Sequence, residues 1–254
     1  MTRDQTLTFD CDRINVAAIE RPAEGPARGV VVLVHGLGGQ KNSETNLLAA
    51  EQLASLGMAS IRFDFPGHGE SGGSTETLTI GRGARVLDHV ASQARARHPD
   101  LPLALFGASY GGTCILASTA MQRACAIVMR SPVSDYAAVR ARQLGPDGMA
   151  RWERDGKIEG LISRQRLTPW TFYEESQRMD LFTAATQATT PLLIAQGEKD
   201  NTVPMADSQR LVDAWAGRVD LVKVSGGDHS LDDPLHTALF VAMGCSWIAH
   251  HLTN

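Results

Sequence analysis

Cysteine is scarce in this 254-residue chain, and the four residues present, Cys11, Cys114, Cys125 and Cys245, show no C-x-x-C spacing. That gives no footing for a disulfide framework or a thiolate metal site, and buried free thiols are expected. Long apolar runs are also missing: nothing approaches the roughly 18 residues of a membrane-spanning helix, and the amino terminus lacks the apolar stretch of a signal peptide. No stable membrane insertion is expected, and the chain reads as cytoplasmic. With a formal net charge of -4 and no Lys/Arg-rich tract, there is nothing to follow a phosphate backbone. Nucleic acid is not an expected partner. Histidines and carboxylates do not recur at i, i+4 beside a third ligand, so no metal and no cofactor are implied. The oligomeric state is left open, a homodimer included.

What is plentiful is apolar residues, at 43%, and glycine, at 24 residues. This is enough for one sizeable core, and one α/β domain with an insertion is the expected plan. Residues 7 to 19 alternate loosely and predict one or two antiparallel edge strands. Gly29 to Val34 is a continuous β-branched run of the kind covered on both faces, and Met58 to Phe65 is expected as a second buried strand. Helices are expected near 46 to 56 and from Ile80 to Arg97. Further strands are expected in the apolar run that opens at Leu103 and at 124 to 130, 191 to 195 and 219 to 224, with helices near 206 to 215 and 235 to 250. Strands alternating with helices imply a mostly parallel sheet with helices on both faces.

Between Leu103 and Leu116 an apolar strand, a glycine-flanked serine and a small-residue helix follow one another. A serine at the apex of so sharp a turn is forced toward positive φ. Gly107 and Gly111 remove the side chains that would collide as the chain doubles back. The helix then aims its first amides at the space beside the Ser109 hydroxyl. Gly69-Glu70-Ser71-Gly72-Gly73 has the same pattern, but no apolar helix follows it, and Ser71 is expected to be a loop residue.

A serine hydroxyl needs a base to take its proton, and the base needs a third group to orient it. In a parallel sheet such groups gather beyond the carboxyl ends of strands. The strand near 191 to 195 leads to Asp200, with Glu198 as a rival. The strand 219 to 224 leads to Asp228 and His229. His236, His250 and His251 also follow, in or near the last helix. His35 and His68 read as loop braces.

His35-Gly36, Gly67-His68-Gly69-Glu70-Ser71, Gly107-Ala108-Ser109-Tyr110-Gly111, the run Gly197 to Pro204 and Gly227-Asp228-His229 together resemble the α/β-hydrolase superfamily, in its order of nucleophile, acid and base. The resemblance covers nearly the whole chain. It is closest to the serine esterase and lipase branch with a lid, which includes monoacylglycerol lipases, feruloyl esterases and serine aminopeptidase-like enzymes. It implies Ser109 as nucleophile, His229 as general base and Asp200 as its orienter, with the amides of Leu37 and Tyr110 as oxyanion hole. The implied reaction is hydrolysis of small or medium acyl or aromatic carboxylic esters through an acyl-enzyme. Thioesterase and aminopeptidase-like amidase activities are the neighbouring readings, and a non-catalytic ligand-binding protein is the reading from another class.

Residues 133 to 180 break the strand-helix rhythm and are too long for an ordinary connection, so an inserted cap is expected there. The core would then comprise residues 1 to 132 and 181 to 254. Basic and acidic side chains are equal in number between 133 and 175, Arg164 among them, which gives no overall charge bias. Trp170, Phe172, Tyr173 and Val203 are the candidate substrate contacts. The three aromatics serve equally as a small core of the cap itself.

Overall fold

The computed structural model describes residues 3–161 and 166–252. Arg164 therefore lies outside the described residues. Eight strands form one sheet: β1 (Gln5–Cys11), β2 (Ile14–Arg21), β3 (Val30–Val34), β4 (Ala59–Phe63), β5 (Leu103–Ala108), β6 (Ala126–Arg130), β9 (Leu192–Gly197) and β10 (Val219–Val224). Their spatial order is β1-β2-β4-β3-β5-β6-β9-β10. All pairings from β4 through β10 are parallel, while β1 and β2 form an antiparallel hairpin on one flank. The hairpin turns at Asp12 and Arg13, both with positive φ, at 53° and 62°. That is the mirror-image turn whose twist suits a hairpin.

The run Val30 to Val34 shows why the sequence dictates this plan. Successive strand side chains point to opposite faces. Val30, Val32 and Val34 enter the core beneath α2 (Ile80–Arg97) and α3 (Tyr110–Ala117), whereas Val31 and Leu33 enter the one beneath α1 (Glu44–Ser55) and α8 (Pro234–His251). An apolar residue is thus needed at every position, and none is more than 1% exposed. On the second face α8 comes so close that a Cβ at Gly244 would lie 2.6 Å from the Phe106 ring. Cys11, Cys114 and Cys245 are buried free thiols, and Cys125 is free but only half-buried.

Between β6 and β9 the chain builds α4 (Tyr136–Asp155), the short antiparallel pair β7 (Lys157–Glu159) and β8 (Leu167–Pro169), then α5 (Trp170–Arg178) and α6 (Leu181–Ala185). Helix α4 breaks at Gly145 (φ 62°) before Pro146 and ends at Gly156 in the left-handed conformation. Trp152 is fully buried, with its indole donating to Thr168 O at 3.0 Å, and meets Trp170 edge to face at 5.4 Å. Helix α7 (Met205–Ala214) separates β9 from β10, and α8 closes the chain order of elements. The loops after β3, β4, β5, β6, β9 and β10 emerge along one edge of the sheet.

Candidate active site

Ser109 stands between β5 and α3 with φ 49° and ψ -114°, the strained geometry its glycine neighbours were expected to permit. Its amide donates to Arg130 O at 2.8 Å, which continues the ladder to β6 into the turn. A Cβ at Gly107 would lie 2.6 Å from Ile115 Cδ1. One at Gly111 would strike Val34 O and lie 2.7 Å from His35 O. Both glycines are therefore demanded by main chain and core packed against the turn.

His229, in the loop after β10, places Nε2 2.9 Å from Ser109 Oγ. Its Nδ1 lies 2.9 Å from Asp200 Oδ2, in the loop after β9. Asp200 Oδ1 accepts from the amides of Thr202 and Val203, both at 2.8 Å. Burial alone would push the Asp200 carboxyl up, but the His229 hydrogen bond and charge and the two amides outweigh it and hold its pKa below the usual value. The loops bearing Asp200 and His229 meet main chain to main chain: a Cβ at Gly197 would strike Gly227 O, and Lys199 N donates to that carbonyl at 2.8 Å. The rival groups are engaged elsewhere. Glu198 accepts from Gly226 N, Asp228 from Asp232 N, and His236, His250 and His251 ride on α8.

The loop after β3 runs against Ser109, so that a Cβ at Gly36 would lie 3.4 Å from Ser109 Cβ. Two imidazoles hold it. His35 Nε2 accepts from Phe65 N at 3.1 Å while Nδ1 donates to Gly36 O at 2.7 Å. His68 Nε2 accepts from Gly38 N at 3.2 Å while Nδ1 donates to Pro66 O at 3.1 Å. Burial pulls the pKa of both down, that of His35 to about 4, so both act as neutral braces. Ser71 is likewise a brace, donating to Asp64 O and accepting from Ala17 N. Asp64 ties the two loops by accepting from the amide and the ammonium of Lys41, at 2.6 and 2.7 Å. Held in this way, the Leu37 amide lies in the loop that abuts Ser109, and the Tyr110 amide opens α3, where a helix offers no partner.

Comparison with known proteins meets this geometry. Residues 25–155 match the family described as serine aminopeptidase, S33. The chain belongs to this family. It is 28% identical to a monoacylglycerol lipase of Mycolicibacterium smegmatis, over 89% of this chain and 89% of that protein. It is 25% identical to the human mitochondrial palmitoyl-protein thioesterase ABHD10, over 83% and 70% respectively. The fold superposes on Est1E from Butyrivibrio proteoclasticus, solved with ferulic acid, with a TM-score of 0.85 at 21% identity, covering 98% of this chain and all of that one. The fold is that of the α/β-hydrolases, and this serine aminopeptidase family member is a hydrolase.

Two hollows flank Ser109 in this family member. One of about 370 Å³ is lined by Thr45, Asn46, Phe106, Arg130 and Thr237 as well as Ser109 and His229. The other, of about 190 Å³, lies against Leu37, Val133, Tyr136, Val139, Arg140 and Leu161, again with Ser109 and His229. None of Trp170, Phe172, Tyr173 and Val203 lines either. The reason is packing. Trp170 and Tyr173 stack on each other and on Trp152, and Phe172 is buried against Tyr110 and Tyr136. Val203 is fully buried, and its carbonyl accepts from Gln196 Nε2 at 2.6 Å. Its contribution is the amide it gives to Asp200.

Tyr136 was not visible as a site residue in the sequence. It lines the smaller hollow together with Ser109, and burial raises the pKa of its hydroxyl. The local sequence marks only the helix start at Asp135, whose carboxylate accepts from Ala138 N. Among the described residues, no cluster of His, Cys, Asp and Glu is placed to hold a metal ion, and no helix is long and apolar enough to cross a membrane.

Proposed function

We propose that this chain is a serine esterase. The observation that carries the reading is the unbroken path from Ser109 Oγ through His229 to Asp200, with 2.9 Å at each step. His229 Nε2 takes the hydroxyl proton as Ser109 Oγ attacks the ester carbonyl, while Asp200 steadies the imidazolium. The oxyanion that forms faces the amides of Leu37 and Tyr110, each such donor being worth about 3 to 4 kcal/mol in the transition state. Collapse breaks the bond to the alcohol, which leaves with the proton from Nε2, and water repeats the sequence to free the acid. Residues 133 to 180 act as the cap over the site, and the core comprises 1 to 132 and 181 to 254. The substrate is a small-molecule ester of small or medium chain, because the two hollows that reach Ser109 measure only about 370 and 190 Å³.

A thioester substrate is the second reading, favoured by the likeness to a palmitoyl-protein thioesterase. Nitrophenyl esters of rising chain length, acyl-CoA thioesters and amino-acid anilides separate these activities. Turnover of the esters is expected, together with fluorophosphonate labelling that disappears in Ser109→Ala. Turnover confined to thioesters or anilides removes the esterase reading. Labelling that persists in Ser109→Ala removes the nucleophile.

A further inference from the structure

The smaller hollow beside Ser109 holds a cation with no anion to meet it. Arg140, on α4, is only 6% exposed. Its Nε is shut from solvent and has no hydrogen-bond partner among the described residues. Nη1 donates to Gln143 Oε1 at 2.5 Å, and the guanidinium lies 5.2 Å from the centre of the Tyr136 ring. These partners are neutral. No Asp or Glu lines the hollow, and Arg140 makes no ion pair among the described residues.

Arg62, the other fully buried arginine among the described residues, pairs with Asp4 at 2.6 Å. The half-buried Arg130 also has an Nε without a hydrogen-bond partner, but Asp232, Asp228 and Asp200 lie near enough to favour its charge. Burial works against the charge of Arg140, yet a guanidinium does not give up its proton in proteins. A buried charge without a partner is among the costliest features a fold can carry. One that faces the nucleophile is explained if its partner arrives with the substrate.

We infer that Arg140 receives a carboxylate carried by the substrate, so that the ester cleaved at Ser109 is a monoanion such as a half-ester of a dicarboxylic acid. The planar guanidinium fork matches the geometry of a carboxylate. Leu37, Val133, Val139 and Leu161 supply an apolar wall for the spacer between ester and acid. A hollow of about 190 Å³, the share of about six waters, admits a short arm. The inference rests on the esterase reading and narrows it to one class of substrate.

Two pairs of esters test it: mono-4-nitrophenyl glutarate with its methyl ester, and 4-carboxyphenyl butyrate with its methyl ester. The first pair carries the acid on the acyl arm and the second on the leaving group. In one pair kcat/KM should favour the acidic member by about tenfold or more, the worth of hydrogen bonds to a charged group. Arg140→Met should bring that ratio to about one, chiefly through KM, and Arg140→Lys should keep part of it. Calorimetry with Ser109→Ala should show the same preference in binding, lost when Arg140→Met is added. Methyl esters favoured in both pairs, or a ratio untouched by Arg140→Met, would overturn the inference. If Arg140→Met does not fold, the ester pairs on the unaltered protein decide. Binding preference without turnover would remove the esterase reading alone, whereas turnover of neutral esters without any preference would remove only the role of Arg140.

Discussion

Replacing Asp200 by asparagine changes almost no volume and tests the hydrogen-bond logic directly. The new amide has two orientations. If its oxygen stays toward His229 Nδ1, its NH2 faces the amides of Thr202 and Val203, which now donate to Oδ1 at 2.8 Å each. Three donors would then converge, leaving two buried main-chain N-H groups unmet at about 1 to 3 kcal/mol apiece. If instead its oxygen keeps those amides, NH2 faces Nδ1, and the imidazole must move its proton to Nε2. The second orientation loses one contact rather than two and is favoured. Nε2-H then points at Ser109 Oγ and cannot accept its proton. A fall in kcat of about 10,000-fold is expected, with KM little changed. The assay is hydrolysis of a short nitrophenyl ester, with Glu198→Gln and Asp228→Asn as comparisons expected to stay within about twofold, because their carboxylates bond elsewhere. Asp200→Asn retaining a tenth of the activity, or a larger loss in either comparison, would refute this account of the acid.

The braces of the loop after β3 make stability fall in mild acid. His35 has a folded-state pKa of about 4 against the usual 6.5, so its contribution is complete above about 6.5 and is lost as pH falls toward 4. The gap corresponds to about 3 kcal/mol, and urea midpoints should decline over that window more in the wild type than in His35→Asn. Gly111→Ala should cost about 1 to 3 kcal/mol in urea unfolding, because its Cβ meets main-chain oxygens of Val34 and His35. Gly72→Ala, with nothing closer than 3.7 Å, should stay within about 0.5 kcal/mol, and equal losses would refute the steric argument. Tyr136→Phe keeps the ring against Phe172 and removes the hydroxyl beside Ser109. Fluorophosphonate labelling should slow about tenfold, the worth of one hydrogen bond to a developing charge, and an unchanged rate would take Tyr136 out of the site.

The parallel core was legible because its strands obey a strong local rule. A run such as Val30 to Val34 is apolar at every position only if both faces are covered. The serine turn was legible because the glycine spacing around Ser109 is itself a local mark, although only Gly107 is required by a residue nearby, Ile115, and Gly111 by the main chain of Val34 and His35 at the end of the neighbouring strand. Asp200 and His229 followed from strand ends, where topology limits the choices. Tyr136 and Arg140 were not legible. Each takes its meaning from how α4 folds back over Ser109, and a tyrosine or arginine on an amphipathic helix carries no local mark of that. The substrate contacts expected at Trp170, Phe172 and Tyr173 went the same way, since aromatic clustering has one signature whether the rings face a ligand or one another. The strands β7 and β8 are three residues each, too short for any periodicity to register.

The three members of the proposed proton path do not share one footing. Ser109 stands on β5, in the middle of the sheet, while Asp200 and His229 are carried by its two outermost parallel strands. The last of these, Val219–Val224, has a neighbour on one side only, and five of its six residues keep some solvent contact. Fraying at that margin carries off the imidazole long before it disturbs the alcohol. On warming, the protein would fall silent while still folded, and recover on cooling, so that lost activity and lost structure are two separate thresholds in one molecule.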